Sequence, residues 1–154
     1  MTVSRVPMPP MPVAYSYIRM SSAAQMQGDS ARRQIERARA FAERNGYELA
    51  PPMKDLGISA FKGRNRQKGA LGAFLTALWA GEIAPGVLII EAIDRLSREA
   101  PFDILMLLRE ILLTGCRIHM LSMGQTMSME DVNGNPGLLS TIATMAALAH
   151  RRPA

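Results

Sequence analysis

The sequence predicts a three-layer α/β/α domain built on a mostly parallel central sheet of four to five strands. Three observations carry this expectation. Short apolar runs, Val13 to Ile18 and Gly86 to Ile93 foremost, alternate with amphipathic stretches of helical length. Those two runs lack the apolar–polar alternation of a sheet with one wet face, so they read as parallel strands buried on both sides. Gly46, Gly81 and Gly115 stand just past helix-patterned stretches, where a left-handed residue ends a helix.

Taken in order, Val13 to Ile18 is the first strand. Asp29 or Ser30 caps a helix that runs to Asn45 and ends at Gly46. Ile35, Ala38, Phe41 and Ala42 share one face of it, with Arg32, Arg33, Glu36, Arg37, Arg39 and Glu43 largely elsewhere. Tyr47 to Asp55 holds a weaker strand, and its Pro51-Pro52 break assigns it to a sheet edge. The loop from Gly57 to Gly69 carries Lys62, Arg64, Arg66 and Lys68, and leads into a second helix, Ala70 to Ala80, apolar on most faces.

Gly86 to Ile93 is the most apolar strand and therefore central. Pro101 fits the first turn of a helix reaching Thr114, and Arg117 to Ser122 is the next strand. A loop rich in Met, Gly and Ser follows, and Pro136 starts a last helix that fades near His150. That helix has no charge from Leu138 to Ala149, whereas a solvated face normally carries some. Another subunit, or the body of its own domain, is the alternative cover.

The chain of 154 residues is expected to form one domain over 13–150, with a disordered tail at 1–12 and a short stub at 151–154. A net charge of +5 and a pI near 10.0 favour a polyanionic partner, although an arginine-rich codon bias would give the same balance. Cys116 is the single cysteine, which excludes a disulfide framework within the chain and suggests a cytoplasmic protein. No apolar run is long enough to span a bilayer. With two histidines and one cysteine far apart, no metal site is expected. No glycine-rich phosphate loop supports a nucleotide cofactor.

Chemistry concentrates in Tyr17-Ile18-Arg19-Met20-Ser21 and Asp94-Arg95-Leu96-Ser97-Arg98, each read as lying just past a buried parallel strand. In open α/β sheets ligands bind at those carboxyl ends. A hydroxyl among guanidinium groups there suggests attack on a phosphodiester, because arginine matches phosphate oxygens with a planar fork and keeps its charge. The plainer readings are that Ser21 caps a turn and that Arg19, Arg95 and Arg98 pair with Glu91, Asp94 and Glu99 on the surface. Asp55 could be an ordinary turn residue. Asp29 and Ser30 read as helix caps, and His119, between Ile118 and Met120, as structural.

These blocks, with Gln25, Asp29-Ser30, Gln34 and Asp55-Leu56-Gly57-Ile58-Ser59-Ala60-Phe61 between them, resemble the serine recombinases of the resolvase/invertase family. The likeness to the large serine integrases and transposases is greatest, and it covers roughly residues 13 to 149. The resemblance implies that Ser21 is a nucleophile that joins the 5′ end of cut DNA and releases a 3′ hydroxyl, without metal or ATP. It implies that Arg19, Arg95 and Arg98 hold the scissile phosphate, and that Asp94 orients an arginine or assists proton transfer. Gln25 and Gln34 become hydrogen-bonding supports, and Asp55 and Ser59 border the site. Arg66 or Arg64 supplies the loop arginine, Arg66 being nearer the helix. A basic residue that some resolvases carry in the second helix has no evident counterpart here, Ala77 standing about where it is expected; the alternatives are a differently arranged catalytic set or Lys68 as its substitute.

The same resemblance implies DNA as substrate and a homodimer that becomes a tetramer, with no cofactor. The family's separate DNA-binding region is expected to be missing after Ala154. A non-catalytic oligomerisation or regulatory remnant is one alternative. A serine-dependent phosphate-ester hydrolase is the other.

Overall fold

A computed structural model describes residues 11–20, 28–56, 69–92, 101–138, 140–142 and 144. The elements are β1 (Val13–Met20), α1 (Asp29–Asn45), β2 (Glu48–Leu49), β3 (Met53–Leu56), α2 (Ala70–Trp79), β4 (Val87–Ile90), α3 (Pro101–Leu113), β5 (Arg117–Met120), β6 (Gln125–Met127) and α4 (Met129–Gly134). Beyond α4 the described residues 136–138, 140–142 and 144 are helical.

The sheet runs β2-β1-β4-β5-β6, with β3 also paired to β1. All pairings are parallel except β5 with β6. β2 and β3 are two halves of one edge strand. Val13 faces Glu48, an offset of 48 − 13 = 35, whereas Tyr17 faces Met53, an offset of 53 − 17 = 36. One residue is gained across Pro51-Pro52, which donate no ladder hydrogen bonds. The six strands therefore fill five positions.

Side chains alternate across the strands and build a core on each face. Leu88 and Ile90 of β4 join Tyr15 and Tyr17 of β1 under α2 and α3. Val87 and Ile89 join Ala14 under Ala38, Phe41 and Ala42 of α1. Helices thus cover both faces, and the three-layer, mostly parallel expectation holds. The helices after β1 and β3 lie on opposite faces, which makes the carboxyl end of β1 the topological switch point.

Several local expectations are corrected. β1 continues through Arg19 to Met20, so Arg19 lies within a strand rather than past one. β4 ends at Ile90, three residues short of Ile93, although the Glu91 carbonyl still accepts from the Ser122 N–H at 2.9 Å. The N-cap of α1 is the extended Gly28, with no side-chain cap. Asp29 is the first helical residue, and its carboxylate stands 3.7 Å from Arg32 on the surface. Neither Asp29 nor Ser30 is the cap. The buried face of α1 contains Ala31 and Gln34 as well as Ala38, Phe41 and Ala42. β5 stops at Met120, two residues short of Ser122. The stretch read as a loop holds β6 and α4, the latter started by a capping box in which Ser128 and Asp131 bond each other's backbone N–H.

Other punctuation stands as read. Gly46, Gly81 and Gly115 all have positive φ. Cys116 is a free, buried thiol, and burial pushes its pKa up. His119 is buried in β5, stacked on Phe41.

Candidate active site

Three neighbouring parallel strands point their carboxyl ends to the same edge of the sheet: Met20 of β1 pairs with Leu56 of β3, while β4 ends at Ile90, level with Tyr17. Of the residues singled out from the sequence, Arg19, Gln34 and Asp55 are described. Ser21, Gln25, Ser59, Arg64, Arg66, Lys68, Asp94, Arg95 and Arg98 lie outside the described residues. In the chain, Ser21 is the next residue after Met20, segment 57–68 follows Leu56, and Asp94 comes four residues after Ile90.

Arg19 and Asp55 face each other across the β1–β3 ladder, their Cα atoms in register. Both are buried, with 8% exposure each. A buried charge is costly unless polar groups meet it, and Asp55 meets three donors. The Tyr17 hydroxyl donates to its Oδ2 at 3.0 Å. The backbone N–H of Ala70 donates to Oδ1 at 2.7 Å, and that of Leu71 to Oδ2 at 3.2 Å. Those two N–H groups belong to the first turn of α2, where the helix dipole also favours negative charge. Asp55 is therefore a strand residue that caps a helix, not a turn residue.

Tyr17 precedes Arg19 by two positions and so projects from the same side of β1. Its phenol is pushed far above the usual tyrosine range, first by burial and then by the charge and hydrogen bond of Asp55. The Arg19 guanidinium pulls in the opposite direction. Sequence reasoning quoted Tyr17 within a motif without giving it a task. The available signal was its strand spacing from Arg19.

Gln34 is buried on the inner face of α1, beside the small cluster of Ile18 and Ala31. Glu91, one surface partner considered for the arginines, is instead 3.3 Å from Arg37, which also donates to the Leu121 carbonyl at 2.8 Å. Among the described residues no three His, Cys, Asp or Glu side chains gather as metal ligands. No described helix is long and apolar enough to cross a membrane. An apolar cleft of about 280 Å³ between α3, β6 and α4 has, among the described residues, Arg109 and Asn133 as its polar lining, which make no acid–base pair.

Comparison with known proteins gives a consistent pattern. Residues 14–152 match the family model described as the resolvase N-terminal domain. The chain is 36% identical over 135 residues to the Escherichia coli K12 protein YbcK, a match covering 86% of this chain and 27% of YbcK. It thus spans about a quarter of that relative's length. The fold is similar to the N-terminal catalytic domain of TP901-1 integrase, with TM-score 0.61, 19% identity, and coverage of 88% of this chain and 95% of the other. It is also similar to a resolvase family site-specific recombinase from Streptococcus pneumoniae, with TM-score 0.62, 20% identity, and coverage of 90% and 87%.

Proposed function

Because the chain belongs to the resolvase family, through its N-terminal domain, we propose that it is the catalytic domain of a DNA recombinase that cuts and rejoins its substrate through a 5′-phosphoserine link. The observation that carries this reading is the common edge of β1, β3 and β4. A buried arginine, Arg19, stands there, and the segments bearing Ser21, the loop arginines and Asp94 to Arg98 all leave from it.

On this reading the Ser21 oxygen attacks phosphorus, its bond to the 3′ oxygen breaks, and that oxygen takes up the proton the serine gives off. The reverse step, with a 3′ hydroxyl from another duplex, restores the phosphodiester and frees the serine. The covalent link conserves the bond energy, so no nucleotide is consumed. Arg19, Arg95, Arg98 and the loop arginine, Arg66 in preference to Arg64, neutralise charge growing on the phosphate oxygens. Asp94 orients an arginine or assists proton transfer. Gln25 and Gln34 support the site, Ser59 borders it, and Lys68 supplies the further cation. Two subunits cut each duplex, so the reaction takes a dimer to a tetramer. The setting is the cytoplasm, where DNA is accessible.

The test is covalent trapping on a pool of nicked duplexes tiling the DNA that flanks the gene. The wild type should leave a denaturation-resistant protein–DNA adduct, and Ser21→Ala none. Equal adduct from Ser21→Ala would sink the assignment of the nucleophile. No adduct, together with Ser21-dependent turnover of an aryl phosphate, would move the reading to a hydrolase. Neither signal would leave the non-catalytic module.

A further inference from the structure

We propose that Tyr17 is a positioning residue: through Asp55 it ties the strand bearing Arg19 to the first turn of α2, fixing both stems of segment 57–68 against the catalytic rim. This rests on the recombinase reading above. One carboxylate makes the connection. It accepts from the Tyr17 hydroxyl on β1 and from the Ala70 and Leu71 N–H groups on α2, while its own backbone lies in β3.

A helix start does not require such an arrangement. Ser, Thr, Asp or Asn at the N-cap would serve α2 locally. That position is Gly69, at φ 105 and with no side-chain acceptor. The acceptor comes instead from 15 residues upstream, on another element. The two ends of the intervening chain, Asp55 and Ala70, are thereby held within one hydrogen bond of each other. Asp55 stands in register with Arg19, and Tyr17 lies two residues before Arg19 on the same face. The β1–β3 ladder holds buried Arg19 level with Asp55, and these three bonds add the first turn of α2 to that frame, so they set where the second stem of the arginine-bearing segment starts relative to Arg19. Tyr17 is only 1% exposed, and burial with the neighbouring carboxylate keeps its hydroxyl protonated and donating.

Tyr17→Phe removes the donor and keeps the packed ring. Three measurements on the full chain decide the matter: the single-turnover rate of adduct formation on the nicked duplexes, the affinity for the same DNA, and amide hydrogen exchange at Ala70 and Leu71. The expected result is faster exchange at both amides, a rate lowered on the order of tenfold to a hundredfold, and unchanged affinity, since small misplacements of reacting groups cost that much. Asp55→Asn should slow the reaction in the same way, by weakening the shared acceptor.

A wild-type rate in Tyr17→Phe overturns the proposal even if the amides loosen. So does a rate loss fully accounted for by the fraction unfolded at the assay temperature. If the wild type forms no adduct, the recombinase reading fails and this proposal falls with it. The exchange data would then mark the Tyr17–Asp55 link as a helix cap alone.

Discussion

His119 shows how a polar residue within a strand can be wholly structural. Its ring stacks 3.8 Å from that of Phe41, and its Nδ1 is hydrogen-bonded with Thr126 Oγ1 at 2.7 Å, across the β5–β6 ladder. Burial lowers its pKa, and the guanidinium charges of Arg37 and Arg44 add to that. The folded protein therefore prefers the neutral ring, while the unfolded chain takes up a proton below about pH 6.5. Stability from this group is complete above that pH and is lost as pH falls through the lowered folded-state value, at up to about 1.4 kcal/mol per pH unit. Urea midpoints at pH 7.5 and 5.5 measure it. His119→Phe keeps the stack but cannot titrate, so its acid loss should be smaller than that of the wild type. An unchanged loss would place the sensitivity elsewhere.

At the scale of elements, the β1–β4 pairing depends on one absent side chain. A Cβ built on Gly86 would stand 1.9 Å from the Val13 carbonyl oxygen and 3.4 Å from the Tyr15 ring. Backbone oxygen cannot give way as a flexible side chain can, so Gly86→Ala must push two central strands apart. The expected cost is about 3 kcal/mol, the upper part of the range for overpacked sites. Gly134→Ala, with open space around it, should be neutral or stabilising by roughly 0.5 kcal/mol. Chemical denaturation of the two variants makes the comparison, and equal midpoints would refute the steric argument. The demand on Gly86 was invisible in sequence, where the residue read only as the start of an apolar run. The opposite holds for Pro51-Pro52, whose missing donors marked a broken edge strand before any coordinates. α4 falls between these cases. Its Ser128-x-x-Asp131 box is a local signal, but six residues give no helical period to notice.

For the molecule as a whole, the fold was legible because buried parallel strands are continuous apolar runs, and β4 is buried at every position. The link among Tyr17, Asp55 and α2 was not legible. It joins residues 38 and 15 apart, and no local pattern encodes such closeness. The same sheet governs how the molecule comes apart. β1 and β4 send alternate side chains into both cores, so neither face can open without stripping the other. Unfolding should be a single transition. Leu107→Ala, on the α2–α3 side, and Ile89→Ala, on the α1 side, should each lower its midpoint by about 2–5 kcal/mol of stability. Trp79, the only tryptophan, reports from α2, while far-UV circular dichroism reports all helices. The two signals should coincide in the wild type and in both variants. Loss of dichroism ahead of Trp79 fluorescence in Ile89→Ala would mean that α1 melts by itself, and that the two faces do not share one cooperative core.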